Sequence, residues 1–339
     1  MKNTATSWLG LELRNPVIAA SSGLTEHLPG LTDLEKNGVG AVVLKSLFEE
    51  EILLDIDNQM KQMASDSFIY PETVEFYEQD ERIREHAMQY LDLIRSAKKE
   101  LSVPVIASIN CVTAENWIYF PREIELAGAD ALELNVFILP TDTRRTAQES
   151  ESVYFDIVQQ VCKLVKIPLA LKISPYFTNL ISFADQISGM GIQGMVLFNR
   201  SYNPDIDIEK LEITSAGVLS TPADIYNSLR WIAILSSRLK CDLAASSGIH
   251  DGKALIKQIL AGAKAVQIAS AIYKNGPGII TKMLEELSEW AQQKKFDSIE
   301  QFRGMLSQSK TGNPAAYERV QFMKYFRGYH PSAMPPDYI

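Results

Sequence analysis

Eight short apolar segments recur along the chain, and this repetition constrains the fold more than any other feature. Each segment is continuously apolar rather than alternating, which is typical of parallel strands buried on both faces. Helical patterns separate the segments, and four of the turns carry a glycine where a helix is expected to end: Gly38, Gly128, Gly191 and Gly262. The eight segments are residues 17–22, 41–46, 105–110, 131–136, 169–174, 194–199, 242–248 and 265–270.

Alternating strands and helices predict an α/β fold, namely one (β/α)8 TIM barrel domain spanning residues 1–339. A doubly wound open sheet is the alternative. Most successive strands begin 23 to 26 residues apart. The gaps after strands 2, 4 and 6 are longer and predict insertions that act as lids or as an oligomer surface. After strand 8 we expect a helix at about 278–294 and a C-terminal extension that packs on the barrel or on a partner.

Charge and cysteine content exclude several classes of protein. The net charge of −9 argues against a nucleic-acid-binding or anionic-membrane surface. Three cysteines without CxxC spacing favour neither a disulfide framework nor a zinc site, and they are too few to bind an iron–sulfur cluster. The four histidines lack metal-ligand spacing, so no metal is predicted. Without a signal-peptide pattern or an apolar stretch of about 20 residues, we expect a cytoplasmic protein.

Polar side chains collect where the predicted strands end, which is where barrels carry their sites. Lys45 and Lys172 each follow at least three apolar residues, and burying an ammonium group without a partner is costly. We therefore expect a bound anion or an electron-rich ligand between these lysines. Structural salt bridges are the alternative.

Small residues end strands 7 and 8. Ser247 and Gly248 precede a helix that begins near Asp251, and Ala269 and Ser270 precede a short helical turn. Small side chains let backbone N–H groups approach a phosphate, and the loops after strands 7 and 8 form the usual phosphate site of such barrels. The pattern predicts a phosphate-bearing ligand, with ordinary strand–helix packing as the alternative.

From Leu9 to about Glu300 the sequence resembles the dihydroorotate dehydrogenase family of FMN-dependent barrels. The resemblance is carried by residues 9–17 (LGLELRNPV), Lys45-Ser46, Glu133-Leu134-Asn135, residues 171–176 (LKISPY), Gly248-Ile249, residues 261–263 (AGA) and residues 267–271 (QIASA).

The resemblance implies an FMN site and assigns a role to each matching residue. Lys45, Asn135 and Lys172 are the implied catalytic residues. The cation of Lys172 would stabilise the anionic reduced flavin. The implied cofactor-binding residues are Ala20, Ser21 and Gly23 under the flavin ring, Lys45 and Ser46 after strand 2, Asn110, Asn135, Lys172 and Asn199 at the ring edge, Gly217 in the loop after strand 6, and Ser247, Gly248, Ala269 and Ser270 around the phosphate.

The implied reaction is hydride transfer between FMN and a CH–CH bond of a small, dihydropyrimidine-like substrate, with a place in pyrimidine biosynthesis. The resemblance also implies a homodimer. Any iron–sulfur centre would belong to a separate electron-transfer partner, because this chain lacks the cysteines for one.

The chain departs from the family pattern around the substrate. Ile138 stands where the family has its catalytic Cys or Ser, and Arg200 stands where a Ser or Thr is usual. Neither the asparagine expected near Pro140 nor the usual loop after strand 2 is recognisable. The candidate replacement bases are Thr141, Thr143, Tyr70, Tyr202 and Cys111. Arg144 with Arg145, or Arg200, is a candidate for binding a substrate carboxylate, with a solvated pair as the alternative for the first two.

Two alternative functions stay open from the sequence. Lys172 suits the nucleophile of a Schiff-base aldolase or a phosphosugar enzyme that uses the same phosphate site. The missing base at Ile138 also fits a flavin-binding protein with little catalysis.

Overall fold

The computed structural model describes residues 4–49, 75–111, 116–200 and 204–318. The strands are β1 (Thr6–Trp8), β2 (Leu11–Leu13), β3 (Val17–Ala19), β4 (Ala41–Val43), β5 (Leu47–Phe48), β6 (Val105–Asn110), β7 (Ala131–Asn135), β8 (Leu169–Ile173), β9 (Gly194–Leu197), β10 (Pro204–Asp207), β11 (Glu212–Ser215), β12 (Asp242–Ser246) and β13 (Ala265–Ile268). The helices are α1 (Leu28–Lys36), α2 (Glu75–Glu100), α3 (Asn116–Ala127), α4 (Ala147–Leu164), α5 (Leu180–Ser188), α6 (Ile225–Leu235), α7 (Gly252–Ala261), α8 (Ser270–Asn275), α9 (Gly278–Gln293) and α10 (Ala315–Glu318).

Eight parallel strands close into a barrel. Their order around the ring is β3, β4, β6, β7, β8, β9, β12 and β13, and β13 pairs with β3 to complete it. The prediction of a (β/α)8 barrel is confirmed, and the open doubly wound sheet is excluded because every strand of the ring has two neighbours. Short β5 follows β4 and pairs with the end of β6.

Local sequence signals end and begin the helices as expected. The four predicted capping glycines, at 38, 128, 191 and 262, all adopt positive φ. Asp251 caps α7 by accepting a hydrogen bond from the Ala254 backbone N–H at 2.7 Å. Several strands are shorter than the apolar segments, since β3 ends at Ala19 and β13 at Ile268. Ser21 and Ser22 therefore lie on the loop after β3, and Ser270 begins α8, at the upper end of the barrel where the carboxyl ends of the strands lie.

The N-terminal hairpin β1–β2 plugs the lower end of the barrel, where the N-terminal ends of the ring strands lie. Trp8, Leu9 and Leu13 are buried among the side chains inside the ring. Small residues at the strand starts make this room: a Cβ on Gly194 would lie 2.4 Å from Leu9 Cδ2. The other small residues in this cluster are Ala41, Ala131, Ala170, Ala244 and Ala265. The family resemblance included residues 9–17 but did not predict that this part of the chain plugs the barrel.

The three expected insertions are described to different extents. Residues 50–74, after β4, lie outside the described residues. The segment after β7 has no regular element before α4. After β9 the chain forms the antiparallel hairpin β10–β11, in which Ile206 lies opposite Ile213 and both are exposed.

The described part of the C-terminal extension packs on the barrel. The backbone N–H groups of Gly304 and Gln308 each donate at 2.9 Å to carbonyl oxygens of α7 and α6, those of Ile259 and Ala233. Phe302 is fully buried against Trp290. Residues 319–339 lie outside the described residues. Among the described helices, none combines the length and apolarity that a membrane crossing requires.

Candidate active site

A cavity of about 990 Å³ opens at the C-terminal ends of the barrel strands. It gathers residues from all eight strand ends, which are far apart in sequence. Among its lining residues are all the predicted cofactor-binding residues except Gly217: Ala20, Ser21, Gly23, Lys45, Ser46, Asn110, Asn135, Lys172, Asn199, Ser247, Gly248, Ala269 and Ser270. The structure thus brings these side chains together, while their contacts with a cofactor stay predictions.

One end of the cavity is built from the small residues that follow β12 and β13. Ser247 and Gly248 both adopt positive φ, at 73° and 76°. The Ser220 backbone N–H donates to Ser270 Oγ at 2.9 Å, and the Lys274 ammonium donates to the Ser220 carbonyl oxygen at 2.8 Å. These bonds fix the loop after β11 against the start of α8, so the small-residue end has a defined shape.

Side-chain amides line the middle of the cavity. Asn199 Nδ2 donates to Asn135 Oδ1 at 2.7 Å, which joins the ends of β9 and β7. Asn110 ends β6 and also faces the cavity. Since each amide carries both donors and an acceptor, this group can recognise a heterocycle that presents carbonyl and N–H groups.

Lys172 is held by a buried polar network that crosses the inside of the barrel. Its ammonium donates to Gln267 Oε1 at 2.9 Å and lies 3.3 Å from Glu133 Oε1. Gln267 Nε2 in turn donates to Glu133 Oε2. All three side chains are buried, so the network sets the position of the lysine at the floor of the cavity.

Lys45 also has an intramolecular partner, because its Nζ lies 2.9 Å from Glu26 Oε1. Beside it, Ser46 Oγ bridges Ser21 Oγ at 3.0 Å and Ser108 Oγ at 2.7 Å. Both lysines thus form the structural salt bridges that the alternative interpretation expected, and both still line the cavity. A bound anion or electron-rich ligand between them stays a prediction.

Arg200 fastens the loop after β11 and is not a free carboxylate ligand. Its guanidinium lies 3.1 Å from Asp224 Oδ2 and donates to three carbonyl oxygens, those of Gly217, Val218 and Leu219. Gly217 is exposed and does not line the cavity, so its predicted contact with a cofactor stays a prediction. Burial alone raises the pKa of the Asp224 carboxyl, but the Thr221 backbone N–H and Arg200 outweigh it, and the net pKa is lowered.

The other candidate arginines lie outside the main cavity. Arg144 is exposed and pairs with Asp142. Arg145 lines a smaller neighbouring cavity of about 210 Å³, together with Asp142 and Glu151.

The described candidates for a catalytic base also lie outside the lining of the main cavity. Ile138 packs against the core, with its backbone N–H donating to the Tyr154 hydroxyl, while its neighbours Phe137 and Leu139 line the main cavity. Thr141 lines only the smaller cavity, and Thr143 is exposed outside both. Burial raises the pKa of the Cys111 thiol, and the Glu49 carboxylate raises it further; Cys111 also does not line the main cavity. Tyr70 and Tyr202 lie outside the described residues.

Sequence reasoning missed the apolar rim of the cavity. Phe137, Leu139, Tyr176 and Val218 line it from the loops after β7, β8 and β11. The available signal was the alternation of Phe137 and Leu139 about Ile138. Across the described ranges, no group of three His, Cys, Asp or Glu side chains is arranged to bind a metal ion.

A closed parallel barrel with a polar cavity at its C-terminal strand ends defines the class of (β/α)8-barrel enzymes. Within this class, the family model for dihydroorotate dehydrogenase matches residues 74–290, more than half of the sequence. The chain belongs to the dihydroorotate dehydrogenase family. It is a flavin-dependent oxidoreductase of the kind that acts on CH–CH groups, and this excludes the Schiff-base and phosphosugar alternatives.

Curated relatives extend the similarity over most of the chain. The catalytic subunit of dihydroorotate dehydrogenase B (NAD(+)) from Thermoplasma volcanium is 28% identical, covering 90% of this chain and 99% of that protein. The protein of the same name from Thermoplasma acidophilum is 26% identical, with the same coverage. That from Methanocaldococcus jannaschii is 25% identical, covering 88% of this chain and 97% of that protein.

Proposed function

We propose that this chain binds FMN in the main cavity and catalyses hydride transfer between FMN and a C–C bond of a small, dihydropyrimidine-like substrate. The observation that carries the proposal is the convergence of the predicted cofactor-binding residues on one cavity in a member of this family. FMN, when bound, would supply the hydride acceptor for the oxidation of a CH–CH bond to C=C. The proton released from the neighbouring carbon would pass to solvent, because none of the described base candidates lines the main cavity.

The residues present fit FMN in chemistry and size. The amides of Asn110, Asn135 and Asn199 offer the donors and acceptors that the polar edge of a flavin requires. The small residues at 247–248 and 269–270 leave backbone N–H groups accessible to a phosphate. A cavity of about 990 Å³ has room for a cofactor and a small substrate together.

Lys172 supplies a fixed positive charge at the floor of the site. Its network with Glu133 and Gln267 holds the ammonium in place, so no reorientation is needed when negative charge develops nearby. Asn135 and Asn199, joined by their hydrogen bond, orient the ligand from two adjacent sides. We propose catalytic roles for Lys45, Asn135 and Lys172 on this basis.

Reconstitution tests the proposal directly. The protein purified with added FMN is expected to be yellow, to bleach with dithionite, and to be reduced without oxygen by a dihydropyrimidine, with dihydroorotate tried first. A colourless protein that cannot be loaded with FMN would overturn the cofactor assignment. Loaded protein that no dihydropyrimidine reduces would instead leave a flavin-binding protein with little catalysis.

We also propose a homodimer and an electron-transfer partner. The relatives named above are catalytic subunits of dihydroorotate dehydrogenase B (NAD(+)), a name that implies a further subunit in those proteins. Three cysteines cannot bind an iron–sulfur cluster of the four-cysteine kind, so such a centre would have to come from the partner. Sedimentation of the pure chain and co-purification from its host test the two assignments separately.

A further inference from the structure

Ser220 joins three separate segments at the small-residue end of the cavity. The residue is 3% exposed and lines the cavity. Its backbone N–H donates to Ser270 Oγ at 2.9 Å, its carbonyl oxygen accepts from the Lys274 ammonium at 2.8 Å, and its hydroxyl oxygen lies 3.0 Å from His250 Nε2. All the polar groups of Ser220 therefore have a partner, and the loop after β11 has a defined position at this end of the cavity.

Lys274 brings positive charge to the same end from behind the lining. It follows Ser270 by one turn of α8 and is exposed, yet its Nζ lies only one hydrogen bond away from a residue of the lining. An ammonium group in this position offsets the partial negative charge of the Ser220 carbonyl oxygen. It also attracts an anion at this end of the cavity without touching it.

His250 shows that the charge of Lys274 is felt within this group of side chains. Burial lowers the pKa of the His250 imidazole and the Lys274 ammonium lowers it further, whereas its bond to Ser220 and the carboxylates of Asp251 and Asp224 only partly oppose this. The net pKa is lowered, so the imidazole is neutral at neutral pH. Of the three side chains at 220, 250 and 274, Lys274 therefore carries the positive charge.

We propose that Lys274 is a positioning residue that makes this end of the cavity favour a phosphorylated flavin over the same flavin without its phosphate. The inference rests on the proposed function and adds a residue that lies outside the cavity lining. Through its bond to Ser220 the ammonium fixes the loop after β11 against Ser270, and its charge favours a phosphate placed beside that loop.

The affinities of two flavins separate this role from a general effect on the fold. FMN and riboflavin differ only in the phosphate, and fluorescence titration of the full chain freed of flavin gives both dissociation constants. In Lys274→Met we expect FMN to bind about tenfold more weakly, while riboflavin binding stays within about twofold. Lys274→Arg keeps the charge and the donor and should keep the parent ratio. Lys257→Met, the same change at an exposed position of α7, is the matched control and should alter neither affinity.

Salt distinguishes the charge of Lys274 from its contribution to the shape of the loop. Because exposed charges are screened, added salt should reduce the advantage of FMN over riboflavin in the parent, and should reduce it less in Lys274→Met. Unchanged FMN binding in Lys274→Met, an equal loss for both flavins, or equal affinities in the parent overturns the inference and leaves flavin binding intact. A parent that binds neither flavin overturns the proposed function as well.

Discussion

Lys172 shows how a single residue can be both structural and functional in this barrel. Its apolar flanks in β8 identified it in the sequence as a buried cation. Its partners were not predictable, because Glu133 and Gln267 lie on β7 and β13 and meet it only when the ring closes. The buried lysine and the possibility of a salt bridge were therefore foreseeable from the sequence, whereas the identity of its partners was not.

Replacing the carboxylate partner of Lys172 tests this network. Glu133→Gln keeps the shape of the side chain and its ability to accept a hydrogen bond from Gln267, but it leaves the ammonium uncompensated. The free energy of unfolding should fall by about 3–5 kcal/mol. The midpoint potential of bound FMN should rise by on the order of 30 mV, a tenfold change for a two-electron couple. Spectroelectrochemistry measures the potential, and an unchanged value would show that the network serves stability alone.

Restoring the family's thiol at position 138 should not restore its chemistry. In Ile138→Cys the thiol would point toward the core and the smaller cavity, because the flanking residues Phe137 and Leu139 occupy the main one. We expect anaerobic flavin reduction to stay within about threefold of the parent, far from the 10²–10⁴-fold effect of a placed base. A hundredfold acceleration in stopped-flow traces would mean that the loop presents position 138 to the substrate.

At the scale of elements, the strands and capping glycines followed from sequence because their signals are local. The plug by β1–β2, the hairpin β10–β11 and the fastening of the loop after β11 did not. The plug and the fastened loop depend on contacts between separate segments: Leu9 packs on Gly194, and Arg200 binds three carbonyl oxygens of the loop after β11. The hairpin β10–β11 is local, but its strands are exposed and lack the continuously apolar pattern that identified the barrel strands.

The contacts of Arg200 with Asp224 predict that FMN binding is lost at low pH. Asp224 has a lowered pKa in the folded protein. The stability that the ionised Asp224 carboxylate contributes is therefore present above its pKa in the unfolded chain, about 3.9. This stability is lost as the pH falls through the lower pKa of the folded protein. Arg200→Ala should weaken FMN binding about tenfold and move the acid loss of binding to higher pH. Fluorescence titrations across pH measure both effects. Arg230→Ala, at an exposed position of α6, is the control and should change neither.

At the scale of the whole molecule, the two ends of the barrel have separate tasks. Trp8 is fully buried in the plug and has no contact with the main cavity. Trp8→Ala should therefore lower the free energy of unfolding by about 3–5 kcal/mol while FMN affinity stays within about twofold. Urea denaturation and fluorescence titration measure the two quantities. Trp231→Ala, at a partly buried helix position, should cost less stability. A loss of FMN affinity in Trp8→Ala alone would mean that the plug also shapes the site.

The plug also has a consequence for the order of events in turnover. Trp8 and Leu9 close the N-terminal end of the barrel. The substrate and the electron acceptor must therefore enter through the same opening, at the C-terminal ends of the strands. The oxidised product then has to depart before a soluble electron acceptor enters. Steady-state rates measured at several acceptor concentrations should give parallel double-reciprocal lines. Intersecting lines would reveal a second route by which electrons leave the protein.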